Sequence, residues 1–325
     1  LVASVTPRAL LAEEWRRASE RSSDLLGGAF FVRCVRFLSV IWLCAAVACS
    51  KGASAPATGA VVVDDFGDSV RLTSPARRVV SLNPVMTEFL LTIGARDRLV
   101  GRTHWDLGPA ADIPDVGDGM QPNVEAILAQ RPDLVLLYQS ESNRPAARRL
   151  REAGVMTLTL RTDRVADLSR VASIVGAAVG LDSAARTAAD SVAATIAAVA
   201  SAPAPAPRPT LFWHIWDAPV ITIGAGSFLD ELVEAAGGRS IFHDLPAASP
   251  QVALEEIVRR DPTYVLAGPT GAERLRTSPA WQAVRAVREG RILVVDTSLV
   301  GKPGVRMGEA AIHLRALLSA GATAP

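Results

Sequence analysis

Beyond residue 49 the chain has no cysteine; Cys34, Cys44 and Cys49 are its only three. Disulfides and thiolate metal sites are therefore excluded from everything that follows. It also lacks an excess of either charge, with 34 basic against 33 acidic side chains. No overall field draws it to a phosphate backbone, so nucleic acid is not an expected partner. Histidines number only four, whereas a zinc enzyme needs three protein ligands in one place. No H-E-x-x-H occurs, there is no P-loop phosphate motif, and Gly224-Ala225-Gly226 lacks the third glycine of a dinucleotide fingerprint. Ser227 lacks the flanking glycines of a nucleophile elbow. What is plentiful is apolar material, 49% of 325 residues against 21% charged, which excludes disorder and collagen-like structure and suffices for one large or two smaller cores.

Arg33 and Arg36 precede an uncharged run over residues 37–48 that closes on Ala46-Val47-Ala48-Cys49. Twelve residues are too few for a spanning helix, which needs roughly 18 or more; they suit the apolar region of an export signal. The small residues before Cys49 resemble a bacterial lipobox, whose cysteine is lipidated and becomes the mature N-terminus. The charged stretch 1–31 is an odd lead-in to such a signal, and translation is expected to start near Val32. Residues 50–59, rich in Ala, Ser, Gly, Pro and Thr, read as a flexible tether.

From there β-branched runs alternate with helical patterns. Strands are expected at 79–82, 99–101, 134–137 and 156–160, and again at 210–212, 220–223, 264–267 and 292–295. Helices of the second set begin near Ser227, Leu254, Pro279 and Glu309. Alternation of this kind predicts parallel sheet with helical crossovers. A leading hairpin is expected over 61–72. The Ala-rich stretch 166–200, interrupted near Gly180-Leu181-Asp182, predicts two consecutive helices. Alternating Ala and Pro over 201–209 cannot continue a helix. The expected organisation is an upstream extension and signal (1–48), a tether (49–60), an N-terminal lobe (61–181), an interlobe helix with a Pro-rich boundary (182–209) and a C-terminal lobe (210–325).

The two lobes match in sequence. Residues 121–136 align without a gap to 251–266 at an offset of 130, pairing Gln121 with Gln251, Glu125 with Glu255, Ile127 with Ile257 and Pro132 with Pro262. A weaker echo pairs Glu88 and Gly94 with Glu231 and Gly237. Two similar lobes facing each other make a cleft.

Two clusters stand where such a cleft would present them, just after expected strands: Thr103-His104-Trp105-Asp106 and Trp213-His214-Ile215-Trp216-Asp217. Ligands in open parallel sheets bind beyond the carboxyl ends of the strands. Indole and imidazole rings offer stiff apolar faces together with N–H donors or a metal-ligating nitrogen, which suits a flat, bulky tetrapyrrole or metal chelate. Core closure by the rings and helix capping by the aspartates is the alternative reading. Tyr138, Met120, Gln121 and Arg306 are further candidates to line the space. Glu125 and Glu255, each in the first turn of a helix, are favoured there by the helix dipole, and their symmetry suggests one charged contact per lobe.

Arg78-Val79-Val80-Ser81-Leu82-Asn83-Pro84 with Thr87-Glu88, Leu99-Val100-Gly101, Pro132-Asp133-Leu134-Val135, Gly226-Ser227-Phe228 with Gly237-Gly238, Ser249-Pro250-Gln251-Val252 with Glu255, and Pro303-Gly304 with Arg306 resemble one family over residues 61–325. It is that of the periplasmic substrate-binding proteins feeding cobalamin, haem and ferric-siderophore ABC importers. The resemblance implies an α/β fold of two Rossmann-like lobes joined by a long interlobe helix, with the ligand cleft between them and no catalysis. It implies export to the periplasm or cell surface with a lipid anchor at Cys49, and a partner permease with its ATPase, met through Glu125 and Glu255. Cobalamin is the first expectation for the ligand, with haem or a ferric siderophore open and His104 or His214 as contacts for its metal. Asp118 and Ala248 or Ser249 stand where cobalamin binders commonly have aromatics. A different class, a metal-dependent hydrolase or chelatase using His104, Asp106, His214 and Asp217, would show metal-dependent turnover. The lipobox carries its own test: intact-mass analysis of membrane-fraction protein should find a chain starting at Cys49 and carrying acyl mass, two or more chains being needed for stable anchoring. An unmodified mature N-terminus elsewhere would refute it.

Overall fold

A computed structural model describes residues 59–204 and 206–323; the signal segment, Cys49 and the tether up to residue 58 lie outside them. A hairpin of β1 (Ala60–Val63) and β2 (Ser69–Leu72) leads. It is followed by β3 (Val79–Ser81), α1 (Pro84–Thr92), β4 (Leu99–Gly101), α2 (Val124–Ala129), β5 (Leu134–Tyr138), α3 (Arg144–Glu152) and β6 (Met156–Leu160). Two helices come next, α4 (Asp167–Val179) and the twenty-residue α5 (Asp182–Ser201). Gly180, at φ 63°, ends α4 in the left-handed conformation that glycine adopts without cost. The second half runs β7 (Thr210–His214), a small hairpin of β8 (Trp216–Asp217) and β9 (Val220–Ile221), α6 (Phe228–Ala235), β10 (Arg239–Ser240), α7 (Leu254–Arg260), β11 (Tyr264–Ala267), α8 (Pro269–Thr277), α9 (Arg285–Arg288), β12 (Ile292–Val294), α10 (Thr297–Val300) and α11 (Met307–Thr323).

Both four-stranded sheets are parallel, in the orders β4-β3-β5-β6 and β10-β7-β11-β12. The orders correspond strand for strand, and the correspondence reaches the backbone. Among the described residues the two non-glycine positions with positive φ are Arg131 (49°) and Asp261 (44°), 130 residues apart and each followed by the turn proline of its repeat. The weaker echo holds as well: Gly94 and Gly237, just beyond α1 and α6, have φ of 80° and 89°.

Because side chains alternate across a strand and parallel sheets are covered on both faces, each sheet serves two cores. Val79, Leu134 and Leu136 of the first sheet and Leu211, Trp213 and Leu266 of the second belong to one apolar cluster, filled out by α4, α5 and α11. Their neighbours turn to private clusters, Val80, Val135 and Leu137 beneath α2 and α3, and Phe212, Val265 and Ala267 against Trp281 and Leu275. The lobes thus share their inner core and keep separate outer ones.

The second half departs from expectation in several places, among them the unexpected edge strand β10. Strand β7 continues through Trp213 and His214 instead of stopping at Phe212, because both rings find cover on the two faces of the sheet. The expected strand at 220–223 is only the return arm of the β8-β9 hairpin. Helix α8 was not expected, and the helix expected from Pro279 is a single 3-10 turn followed by α9.

Three acids tie the leading hairpin to the lobe: Asp65 accepts the Arg161 N–H at 2.6 Å and pairs with Arg170 at 3.0 Å, Asp68 pairs with Arg151, and Asp64 is the most buried of them. Asp64, whose side chain is fully buried, accepts the N–H groups of Phe66 and Asp68 at 3.0 Å and of Thr159 on β6 at 3.2 Å, and pairs with Arg151 at 2.8 Å. Asp64→Ala leaves those donors and part of a guanidinium unpaired. The expected loss is about 3–5 kcal/mol, to be read as a lower midpoint in urea unfolding; an unchanged midpoint would show the hairpin to be held otherwise.

Candidate functional site

The carboxyl ends of β4 and β7 carry the two aromatic loops. In the N-terminal loop, the Arg102 guanidinium donates to the carbonyls of Ala110, Thr103 and Ala111 at 2.8–3.0 Å, which fixes it within the loop. Asp106 is buried, its Oδ2 accepting the Thr103 amide at 2.9 Å and the Thr103 hydroxyl at 2.6 Å. Asp106 is thus withdrawn as a ligand contact: it is spent on closing the turn. What the turn presents is Trp105, 63% exposed, with Leu107 beside it and His104 tilted against the indole at 4.6 Å between ring centroids.

Asp118, which sequence reasoning had singled out only as a missing aromatic, organises this surface. Its carboxylate accepts the Met120 N–H at 2.5 Å and lies 3.9 Å from His104 Nε2. The Met120 amide, with smaller help from the Trp105 side chain and the Gln121 amide, holds the Asp118 carboxyl below the usual range against a modest desolvation. Met120 and Gln121 are thereby displayed at the surface. Gly119 is obligatory, since a Cβ there would stand 2.1 Å from the Leu82 carbonyl oxygen. Asn143, buried, donates to the carbonyls of Gly119 and Tyr138 at 3.0 Å and joins this loop to the end of β5.

In the C-terminal half a cavity of about 400 Å³ opens beyond β7, β11 and β12. Trp213 and His214 line it together with Phe228, Leu229, Thr270 and Val300, and no acid, lysine or arginine is among its walls. Trp213 is only 4% exposed and part of the shared core, so it forms the floor of the cavity and not one face of an open sandwich. His214 presents little: its Nε2 is 2.8 Å from Asp217 Oδ1, and its ring stands edge-on to Trp281. Burial would raise the Asp217 carboxyl, but hydrogen bonds from Arg274 and His214 outweigh it and the carboxyl lies below its ordinary value. Ile215 also lines the cavity, and Trp216, 57% exposed, follows on β8.

The remaining candidates are placed elsewhere. The Tyr138 hydroxyl donates to Asp163 Oδ1 at 2.7 Å, and burial, then this bond, push its own ionisation far up. The Asp163 carbonyl in turn accepts the Phe228 N–H at 3.0 Å, and Val165 N–H donates to Glu231 Oε2 at 3.0 Å. Tyr138 therefore braces the junction of the lobes. Arg306 is paired with Glu309 one turn along, at 2.9 Å. Glu125 and Glu255 are both exposed in the first turns of α2 and α7, and neither is in an ion pair among the described residues. Phe228, Leu229 and the walls at 268–271 and 297–301 were missed, although they follow strand ends as the aromatic loops do.

A family model for periplasmic binding proteins matches residues 79–299. The chain belongs to that family. A cobalamin-binding protein of Halobacterium salinarum (strain ATCC 29341 / DSM 671 / R1) is 30% identical over 268 residues, 76% of this chain and 70% of its own length. An uncharacterised ABC transporter substrate-binding lipoprotein of Bacillus subtilis (strain 168) is 25% identical over 260 residues, 77% and 82% of the two chains. Among solved structures, a periplasmic heme-binding protein from Roseiflexus sp. RS-1 superposes at a TM-score of 0.67 with 22% identity, over 76% of this chain and 100% of its own; that likeness speaks to the fold. A periplasmic binding protein binds without turnover, which decides against the hydrolase or chelatase.

The exposures separate this periplasmic binding protein's rings into two kinds. Trp105→Ala and Trp216→Ala should leave the unfolding free energy within about 0.5 kcal/mol of the parent, whereas Trp213→Ala should lose about 3–5 kcal/mol. Melting or urea curves check this, and a large loss for Trp105→Ala would return that ring to the core.

Proposed function

We propose that the chain is the substrate-binding component of an ABC importer that captures cobalamin between its lobes and delivers it to a permease and its ATPase. One observation carries the reading. Among the large apolar side chains left exposed in the described residues, Trp105, Leu107, Met120, Ile215 and Trp216 follow the ends of β4 and β7, while Val61, Val63, Val258, Val294 and Ile312 lie on other elements. Exposed apolar groups beyond strand ends are where an open parallel sheet offers a binding surface. Its polarity favours the corrinoid over haem or a ferric siderophore. The cavity walls carry no fixed charge, and the guanidinium groups of Arg102 and Arg274, on or beside the two loops, are engaged by carbonyls and by Asp217. Carboxylates of a tetrapyrrole would look for such groups free, while an amide-rimmed corrinoid needs neutral partners. The cobalamin-binding relative supports the same choice.

Glu125 and Glu255 then serve as permease contacts, one per lobe, in keeping with their matched positions and their lack of an ion-pair partner among the described residues. Export with a lipid anchor at Cys49 fits the reading, and the Bacillus relative bears a lipoprotein name. No helix among the described residues is long and apolar enough to cross a membrane.

Calorimetric titration of the purified protein with cyanocobalamin, haemin and a ferric hydroxamate tests the ligand; heat from either iron compound and none from cyanocobalamin overturns the corrinoid. Trp105→Ala and Trp216→Ala should each weaken binding of the corrinoid by roughly thirtyfold, the cost of truncating a contact anchor. In cells, Glu125→Lys and Glu255→Lys should impair uptake with binding unchanged, and normal transport by both would remove the docking role.

A further inference from the structure

The two lobes share a strand order but not what lies across it. In each sheet the chain turns to opposite sides from a central pair of strands, β3 and β5 in the first and β7 and β11 in the second. The crevice beyond the carboxyl ends of such a pair is where an open parallel sheet takes a ligand. In the first sheet that crevice is filled from within. Gly119 lies so close to the Leu82 carbonyl, directly after β3, that a Cβ would not fit, and Asn143 ties the Gly119 carbonyl to that of Tyr138, the last residue of β5. In the second sheet the corresponding loop lies elsewhere. It rests on Gly224 and Gly226, where a Cβ would come within 2.4 Å of the Ala247 carbonyl oxygen and 2.5 Å of the Pro246 carbonyl oxygen respectively. The ends of β7 and β11 are left open, and the cavity of about 400 Å³ stands there.

That volume is at the low end for a small-molecule site, about 300–1,000 Å³, so the cavity holds one projecting group and not a whole macrocycle. Its walls say which. Trp213 and Phe228 give ring surface, and Leu229 and Val300 give aliphatic surface. Polar atoms are few: the hydroxyls of Thr270 and Thr297, the backbone at the start of α8, and the His214 ring, whose Nε2 is already bonded to Asp217. A carboxylate or phosphate would meet no lysine or arginine there, and an amide would set most of its polar atoms against ring and aliphatic wall. A flat, uncharged aromatic group gives up little water on entry and gains contact with both rings.

We infer that this cavity takes the nucleotide base of the corrinoid, a fused aromatic ring that projects from one face of the macrocycle, while the phosphate and the amides stay outside. This rests on the cobalamin reading. The C-terminal lobe then distinguishes a complete corrinoid from one without its base. The N-terminal lobe, its own crevice filled, offers the outer surface of Trp105 and Met120.

The test is calorimetric titration with cyanocobalamin and with dicyanocobinamide, which keeps the corrin ring and its amides but lacks the nucleotide. Wild-type protein is expected to bind cyanocobalamin about tenfold or more tightly than dicyanocobinamide. Thr270→Trp and Leu229→Trp place an indole against the open and the half-buried wall of the cavity. Each should cut that preference by about fivefold or more through weaker cyanocobalamin binding, with melting curves confirming that they fold. A wild-type preference below tenfold, which needs no variant to measure, overturns the placement of the base while the corrinoid reading stands. So does a preference that both folded variants keep. If neither corrinoid binds to wild-type protein, the cobalamin reading itself falls, and the placement with it.

Discussion

The placement of one lobe against the other rests on how closely three helices can approach. Helix α5 has alanine, serine or threonine at most of its positions, and its neighbours meet it at glycines. A Cβ on Gly176 of α4 would stand 2.7 Å from the Ala185 Cβ, and one on Gly308 of α11 would stand 2.9 Å from the Thr195 side chain. With only an alanine or threonine side chain between them, the helices pack closely and the two sheets deliver their inner faces into one apolar cluster. Opening such an arrangement would expose core at about 25 cal/mol per Å². The loops beyond the strands are therefore the parts free to adapt to a ligand, and the bonds from Asp163 to Phe228 and from Val165 to Glu231 hold the base from which they rise.

Within that frame, the chemistry of the cleft follows from subtraction. Most of the charge near the strand ends is used to build the loops: Asp106 closes a turn, Arg102 fills three carbonyls, Asp217 joins His214 to Arg274, and Glu231 ties the lobes. The carboxylates and guanidinium groups thus engaged have lost their capacity to recognise an ionic ligand, because a second partner would have to compete with one already fixed. What is left exposed is apolar surface on Trp105, Met120, Ile215 and Trp216, the indole N–H groups of Trp105 and Trp216 being held by Asp118 and by the Ala218 carbonyl. Recognition by faces and edges, with few charges, is what such a set can provide.

The sequence makes legible what repeats and hides what depends on packing. The offset of 130 that pairs Gln121 with Gln251 reappears in the φ angles of Arg131 and Asp261 and in identical strand orders. Strand β7 illustrates the limit. In a sheet covered on both faces no polar residue marks the end of a strand, so Trp213 and His214 read as a loop although they are strand. Nor can spacing tell that Asp106 turns inward while Asp118, twelve residues on, orders the surface. Both are acids in loops, and only the folded turn decides which one meets backbone N–H groups out of water. The cavity walls at Gly268 and Val300 are small or aliphatic, and such residues carry no chemical signal until the strand ends bring them together.

The repeat is also uneven in an informative way. It is tight over α2-β5 and α7-β11, the segments that carry Glu125 and Glu255, and it is lost in the loops that carry His104, Trp105 and Trp216. Core-facing helix and strand positions are constrained by packing, where a change of even one methylene is felt. That constraint does not reach exposed carboxylates such as Glu125 and Glu255, which packing alone would let drift apart. The helix dipole favours an acid in either first turn, and under the proposed docking role a partner presenting the same chemistry to each lobe would add a second cause. The ligand side is under no such demand. A single asymmetric molecule between two related lobes is better met by different loops than by copies, so divergence at the strand ends and agreement at the first turns of α2 and α7 belong to the same division of labour.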